Sequence, residues 1–145
     1  MNIAVRYQSR GGNTRAVAEV IAETVGVKAE PIDMPLDGQI DLLFLGGGVY
    51  KWDADEKLLD YLNTLNASNI AKIAPFSTTG AMTVTIKRIR EYAQKAGISV
   101  SDKDLCLKVM LQGHSALGRT GGNLKEEQRE KVKQFALDTI KCNLR

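Results

Sequence analysis

The run Ile3-Ala4-Val5-Arg6-Tyr7-Gln8-Ser9-Arg10-Gly11-Gly12-Asn13-Thr14 decides how the rest of the chain is read. Ile3 to Tyr7 is short, rich in β-formers and closed by a cluster of turn residues, which predicts a strand. Thr14 to Val25 follows at once as a helix. Val17, Val20, Ile21 and Val25 fall near one face, and Gly26 is a fitting stop. A strand that runs through a glycine-bearing turn straight into a helix is the first half of a β–α–β unit.

The alternation continues to the end of the chain. Val27 to Ile32 reads as a second, weaker strand, and Asp41 to Leu45 as a third, whose unbroken apolar run fits the buried centre of a parallel sheet. Asp55 to Leu65 is a helix with Leu58, Leu62 and Leu65 at helical spacing, and Lys72 to Ser77 is a fourth strand. Thr85 to Ala96 is a helix that aligns Ile86, Ile89, Ala93 and Ala96 and closes at Gly97. Leu105 to Leu111 is the fifth strand, and Glu126 to Lys141 the last helix, with Val132, Phe135, Ala136, Thr139 and Ile140 inward. The expectation is one α/β domain over residues 1–145, with three layers (α/β/α), a five-stranded parallel sheet and about four main helices. Asp33 to Ile40 is too short for a crossover helix. Eight extended residues reach about 26 Å, and the return along one strand with a sideways step needs roughly 20 Å. The link is feasible, and one face of the sheet should carry a thin patch there.

Composition bounds the function classes. The chain has 145 residues, 43% apolar and 26% charged, which is globular and long enough to bury a core without disulfides. Twenty basic against seventeen acidic residues leave a net charge of +3, too small to imply nucleic acid or a membrane surface. Lys125, Arg129, Lys131, Lys133 and Lys141 interleave with Glu126, Glu127 and Glu130, which reads as a solvated, salt-paired helix face. Cys106, Cys142 and the single His114 make neither a disulfide scaffold nor a zinc site, so no metal is expected. Leu42 to Leu45 cannot span a bilayer, and no signal peptide is visible, so the expected location is the cytoplasm.

Ligands of open parallel sheets bind beyond the C-terminal ends of the strands, so the chemistry is sought in those loops. Ser9-Arg10-Gly11-Gly12-Asn13-Thr14 combines two glycines, side-chain donors and a helix N-terminus, the parts of a phosphate cradle. The bland alternative is a polar turn with Asn13 or Thr14 as N-cap. It is neither a Walker loop nor a G-x-G-x-x-G fingerprint. The third strand ends in Gly46-Gly47-Gly48, where the entropy cost of three glycines implies a close approach or an unusual turn. Val49, Tyr50, Lys51, Trp52 and Asp53 follow. The two aromatics suit stacking on a flat ring, or Trp52 packs under the next helix. Ser77-Thr78-Thr79-Gly80 is small and donor-rich, fit for a heterocycle edge or for a plain turn. Gln112 to Asn123 is long for a compact domain, which points to function or mobility. His114 within it has no Ser/Asp partner pattern and reads as solvent-facing.

The strand, the S-x-x-G-N-T loop ending at Asn13-Thr14, the helix, Leu45-Gly46 opening a second ligand loop and the small polar fourth loop together resemble the flavodoxin family over essentially the whole chain. The resemblance implies strand order 2-1-3-4-5 and non-covalent FMN. Ser9, Arg10, Gly11, Gly12, Asn13 and Thr14 would surround the phosphate. Gly47, Gly48, Val49, Tyr50, Lys51 and Trp52 would flank the isoalloxazine, and Ser77, Thr78, Thr79 and Gly80 its other edge. Four departures stand out. Gly11 replaces a usual hydroxyl residue and Arg10 a usual glycine. Lys51 takes the place of a glycine whose peptide flips on reduction, where a positive-φ turn is costlier for a side chain. Thr79 and Ala81 replace an aromatic that covers the ring. The implied function is electron transfer with redox partner proteins, as a carrier rather than a small flavin oxidoreductase, whose second pocket the Gly113 to Asn123 loop could form; the chain is expected as a monomer or weak homodimer, with no catalytic residue assigned. A net charge of +3 does not suit the basic partner surfaces that acidic carriers use. The alternative is a regulatory or binding module on the same fold that has no flavin or has lost it. A phosphoacceptor or a cysteine phosphatase lacks its key residue here.

Overall fold

The computed structural model describes residues 1–50, 53–78, 83–108 and 124–143. β1 (Ile3–Gln8) runs parallel to β2 (Ala29–Pro31) on one side and to β3 (Leu42–Gly47) on the other. β3 carries a short hairpin, β4 (Val49–Tyr50) with β5 (Asp53–Ala54), and then pairs in parallel with β6 (Lys72–Ser77). β7 (Ser99–Val100) lies against the start of β6 and β8 (Leu105–Cys106) against its end. Counting β7 and β8 as one interrupted fifth strand, the order is the expected 2-1-3-4-5. The helices are α1 (Asn13–Val25), α2 (Glu56–Leu62), α3 (Val84–Lys95) and α4 (Glu126–Asn143).

Each face of the sheet has its own core. Val5, Leu42, Phe44 and Phe76 meet Val17 and Ile21 of α1 and Val132, Phe135 and Ala136 of α4. There Phe44 and Phe135 meet edge to face, with centroids 5.8 Å apart. On the other face Leu43, Leu45 and Ile73 meet Leu58 and Leu62 of α2 and Ile89 and Ala93 of α3. Leu42 to Leu45 are all buried, as an unbroken apolar run in a central parallel strand requires.

Three elements differ from the sequence reading. The fifth strand opens at Ser99, before the predicted Leu105, and breaks over 101–104. Ser101 donates its N–H to the Ile73 carbonyl at 2.8 Å, while its hydroxyl accepts from Lys103 N–H at 3.1 Å. That local turn takes the polar stretch off the ladder. α2 stops at Leu62, short of Leu65, because Thr64 turns both its N–H (2.9 Å) and its hydroxyl (2.6 Å) onto the Tyr61 carbonyl. The sequence predicts plain loop after Gly48, whereas Val49–Tyr50 and Asp53–Ala54 pair as the antiparallel β4 and β5.

The three glycines after Leu45 divide by role. A Cβ on Gly46 would run into the Phe76 ring, and one on Gly47 would meet Leu58 Cδ2 at 2.7 Å. The close approach that the sequence implied is thus made by neighbouring core side chains. At Gly48 a Cβ would sit at an ordinary 3.8 Å from Thr14 Oγ1.

The connection between β2 and β3 carries no helix, and a buried arginine fastens it to the sheet. Arg6 alternates with Ala4 on the α2 side of β1 and is only 6% exposed. Its guanidinium donates to the carbonyls of Met34 (3.1 Å), Pro35 (2.8 Å) and Val5 (3.1 Å), pulling the helix-free connection onto the sheet. A buried charge is tolerable only when its donors are satisfied, and here carbonyl dipoles do that work. Arg6→Met keeps the volume but strands two carbonyls, and it should lower stability by about 1–3 kcal/mol. Gly46→Ala should cost about 1–3 kcal/mol by overpacking against Phe76. Urea midpoints at unchanged slope measure both, and an unshifted midpoint for either variant contradicts the corresponding contact.

Candidate functional site

The C-terminal tips of β1, β3 and β6 bring together the first loop, the β4–β5 hairpin and the start of the loop after Ser77. Gly12 sits at the N-cap of α1 in the left-handed region, with φ +93°, which favours glycine. It contributes no side chain to the cap, so the ordinary turn capped by Asn13 or Thr14 does not form. Helix geometry leaves the first-turn N–H groups without intrahelical acceptors, and the helix dipole makes an anion their fitting partner. Ser9 Oγ accepts the Gly12 N–H at 3.0 Å, which holds the turn and leaves the Ser9 hydroxyl hydrogen to donate.

Thr14 is turned away from capping. Its hydroxyl shares a 2.7 Å hydrogen bond with the hydroxyl of Thr78, and both residues are buried. This pins the first loop to the tip of β6. Ser77, fully buried, ends that strand. On the other side the Thr85 hydroxyl of α3 donates to the Gly48 carbonyl at 3.1 Å, fixing the root of the hairpin.

Arg10 is engaged in an ion pair. Its Nε and Nη2 grip the two carboxylate oxygens of Asp55 at 2.8 and 3.1 Å. Asp55 caps α2 by accepting the Lys57 N–H at 3.0 Å and also takes Gln8 Nε2 at 3.4 Å. Burial alone pushes the Asp55 carboxyl up, but the bonds from Arg10, Lys57 N–H and Gln8 outweigh it and hold the group below the usual carboxylate range. At the base of the hairpin, Arg88 of α3 grips Asp53 at 3.0 and 3.3 Å and, with the Ala54 N–H, lowers that carboxyl too.

Ser9, Arg10, Gly12, Thr14, Gly48 and Thr78 thus meet in one place. Gly11 has open space around it, and Val49 lies in the hairpin. Gly47 is a strand residue packed on Leu58. The backbone of Tyr50 lies in β4. Lys51, Trp52, Thr79, Gly80 and Ala81, with the loop carrying His114, lie outside the described residues. Two clefts of about 370 and 230 Å³ between residues 31–36 and α2 are lined by none of the expected site residues. The sequence reading missed Gln8, Asp55, Thr85 and Arg88. Asp55 is readable as an N-cap ahead of Glu56, but its partner 45 positions away leaves no spacing signal.

The unfolded Asp55 carboxyl titrates near its ordinary 3.8 and the folded one lower. Between the two values only the unfolded chain holds the proton, so this contribution to stability is full above that interval and lost as pH falls through it. Asp55→Asn keeps an N-cap acceptor without the charge. Its stability gap from the wild type should be wide at neutral pH and close in strong acid, in urea titrations across pH. A gap of constant width would remove the charge from this account.

Among the described residues no helix is long and apolar enough to cross a membrane, and no group of His, Cys, Asp and Glu could hold a metal ion. A search of curated proteins gives no match. Among solved structures the chain is similar to a flavodoxin from the domain Archaea, at 20% identity and TM-score 0.73 over all of both chains. It is also similar to the rubredoxin oxygen:oxidoreductase of Desulfovibrio gigas, at 15% identity and TM-score 0.71, where 98% of this chain covers 36% of the longer one. A third match is the apo form of an NADH:FMN oxidoreductase, at 15% identity and TM-score 0.60 over 96% of this chain and 90% of that one. The family model for the flavodoxin domain matches residues 4–141, and the chain belongs to that family.

Proposed function

We propose that this chain binds FMN without a covalent bond and acts in electron transfer with a redox partner protein. The observation that carries the reading is the first loop: a left-handed Gly12 stands where a side-chain cap would otherwise close the start of α1. A helix start of this kind suits an anion of phosphate type. Family membership and the similarity to an archaeal flavodoxin and to an NADH:FMN oxidoreductase support the same cofactor.

The residues fit the group. The phosphate would meet the Ser9 hydroxyl and the first-turn N–H groups of α1, while the Thr14–Thr78 bond keeps the cradle wall in place. Because Arg10 is engaged by Asp55, the grip would be by neutral donors and the helix dipole. The hairpin root, fixed through Gly48 and Asp53, would present the ring-flanking segment at a set height above β3. Bound there, FMN supplies the electron-transfer chemistry, and the protein's part is binding and orientation.

Titrating the purified protein into FMN should quench flavin fluorescence with micromolar or tighter affinity. Gly12→Ala opposes the φ of +93° and should weaken FMN about tenfold. A wild-type protein that leaves FMN fluorescence unchanged refutes the proposal and favours a scaffold without flavin. Gly12→Ala binding FMN like the wild type would move the phosphate site elsewhere.

A further inference from the structure

The segment from Gly48 to Asp55 is tied down from three directions. Thr85 of α3 holds the Gly48 carbonyl, Arg88 of α3 holds Asp53, and Gln8 and Arg10 hold Asp55. Asp55 N–H also reaches back to the Gly48 carbonyl at 3.4 Å. Of these ties, Arg10 alone comes from the phosphate loop. We propose that the Arg10–Asp55 ion pair couples that loop to the hairpin beside the flavin ring, and that by holding the guanidinium it keeps this cation off the phosphate. The inference rests on the FMN reading of the site.

Relative burial decides which partner Arg10 keeps. The Asp55 side chain is 2% exposed and that of Arg10 42%. Moving Arg10 to a phosphate would strand a buried carboxylate, and an uncompensated buried charge is among the costliest defects in a fold. The gain would be one more contact to a phosphate already held by N–H donors, from a side chain still partly in water. The two-pronged geometry also uses the planar fork of the guanidinium, which fixes direction as well as distance. Arg10 is therefore a positioning residue. It sets the hairpin relative to the first loop through Asp55, and its own charge stays off the phosphate cradle.

Riboflavin, which lacks the phosphate, separates the two roles. With Arg10→Ala, affinity for FMN and for riboflavin should fall by the same factor, roughly five- to tenfold. With Asp55→Asn, Arg10 is released toward the phosphate. FMN should then gain on riboflavin by about threefold, a gain that high salt abolishes. Hydrogen exchange in the flavin-free protein gives a readout that needs no cofactor: Arg10→Ala should speed exchange at the Ala54 and Asp55 amides. Loss of FMN affinity with riboflavin affinity intact in Arg10→Ala would make Arg10 a phosphate ligand and overturn the proposal. Unchanged exchange at Ala54 and Asp55 would also overturn it, whatever the flavin titrations show. If the wild type bound neither flavin, the FMN reading would fall, and the exchange rates would still decide whether the ion pair holds the hairpin.

Discussion

A carboxylate taken out of water has to be paired, and the arrangement at the strand tips follows from how Asp55 meets that demand. It stands where the hairpin after β3 hands over to α2. Its two oxygens accept from a guanidinium, a side-chain amide and a helix N–H. The helix N–H is local to Asp55, while Gln8 and Arg10 come from the end of β1 and the loop after it, so satisfying one buried group fixes that stretch against the start of α2. Weak surface pairs such as Arg15 with Glu19, both largely exposed, carry no comparable constraint.

Arg6, two residues before Gln8 on β1, poses a similar problem with the charge reversed. A short connection between β2 and β3 leaves no helix to cover that part of the sheet, and a second buried ion, Arg6, fills the space with its stem and binds backbone carbonyls with its head. β1 thus carries two polar side chains inward on the α2 face, Arg6 and Gln8. Both serve to fasten segments that have no regular structure of their own. Its other face is apolar, with Val5 and Tyr7 in the larger core. One strand of six residues therefore organises both the core and the loops above it.

The position of the candidate site follows from topology. β1 and β3 are neighbours although β2 lies between them in sequence, and their loops leave toward opposite faces, where a crevice opens. Hydroxyl pairing between Thr14 and Thr78 bridges that crevice on the α1 side. Glycines at 46 and 47 let Phe76 and Leu58 pack close beneath it, so the floor is dense.

Strand and helix order, the inward faces of Val17, Ile21, Leu58, Ile89 and Phe135, and the helix-free connection were legible in the sequence, because periodicity and loop length act over a few residues. The turn that leads from β1 into α1 was legible too, since its glycines and hydroxyls are contiguous. The interruption of the fifth strand was not, because it depends on the Ser101 hydroxyl capturing the Lys103 N–H in a local turn just past the bond from Ser101 N–H to Ile73. Nor was the engagement of Arg10. From sequence alone it was a cation beside a prospective phosphate, and only the fold brings Asp55 within 2.8 Å of it. Local pattern determines which segments become strands and helices. Which charges end up buried, and which partner each then keeps, depends on contacts between residues far apart in the chain, and those exist only once the sheet has assembled.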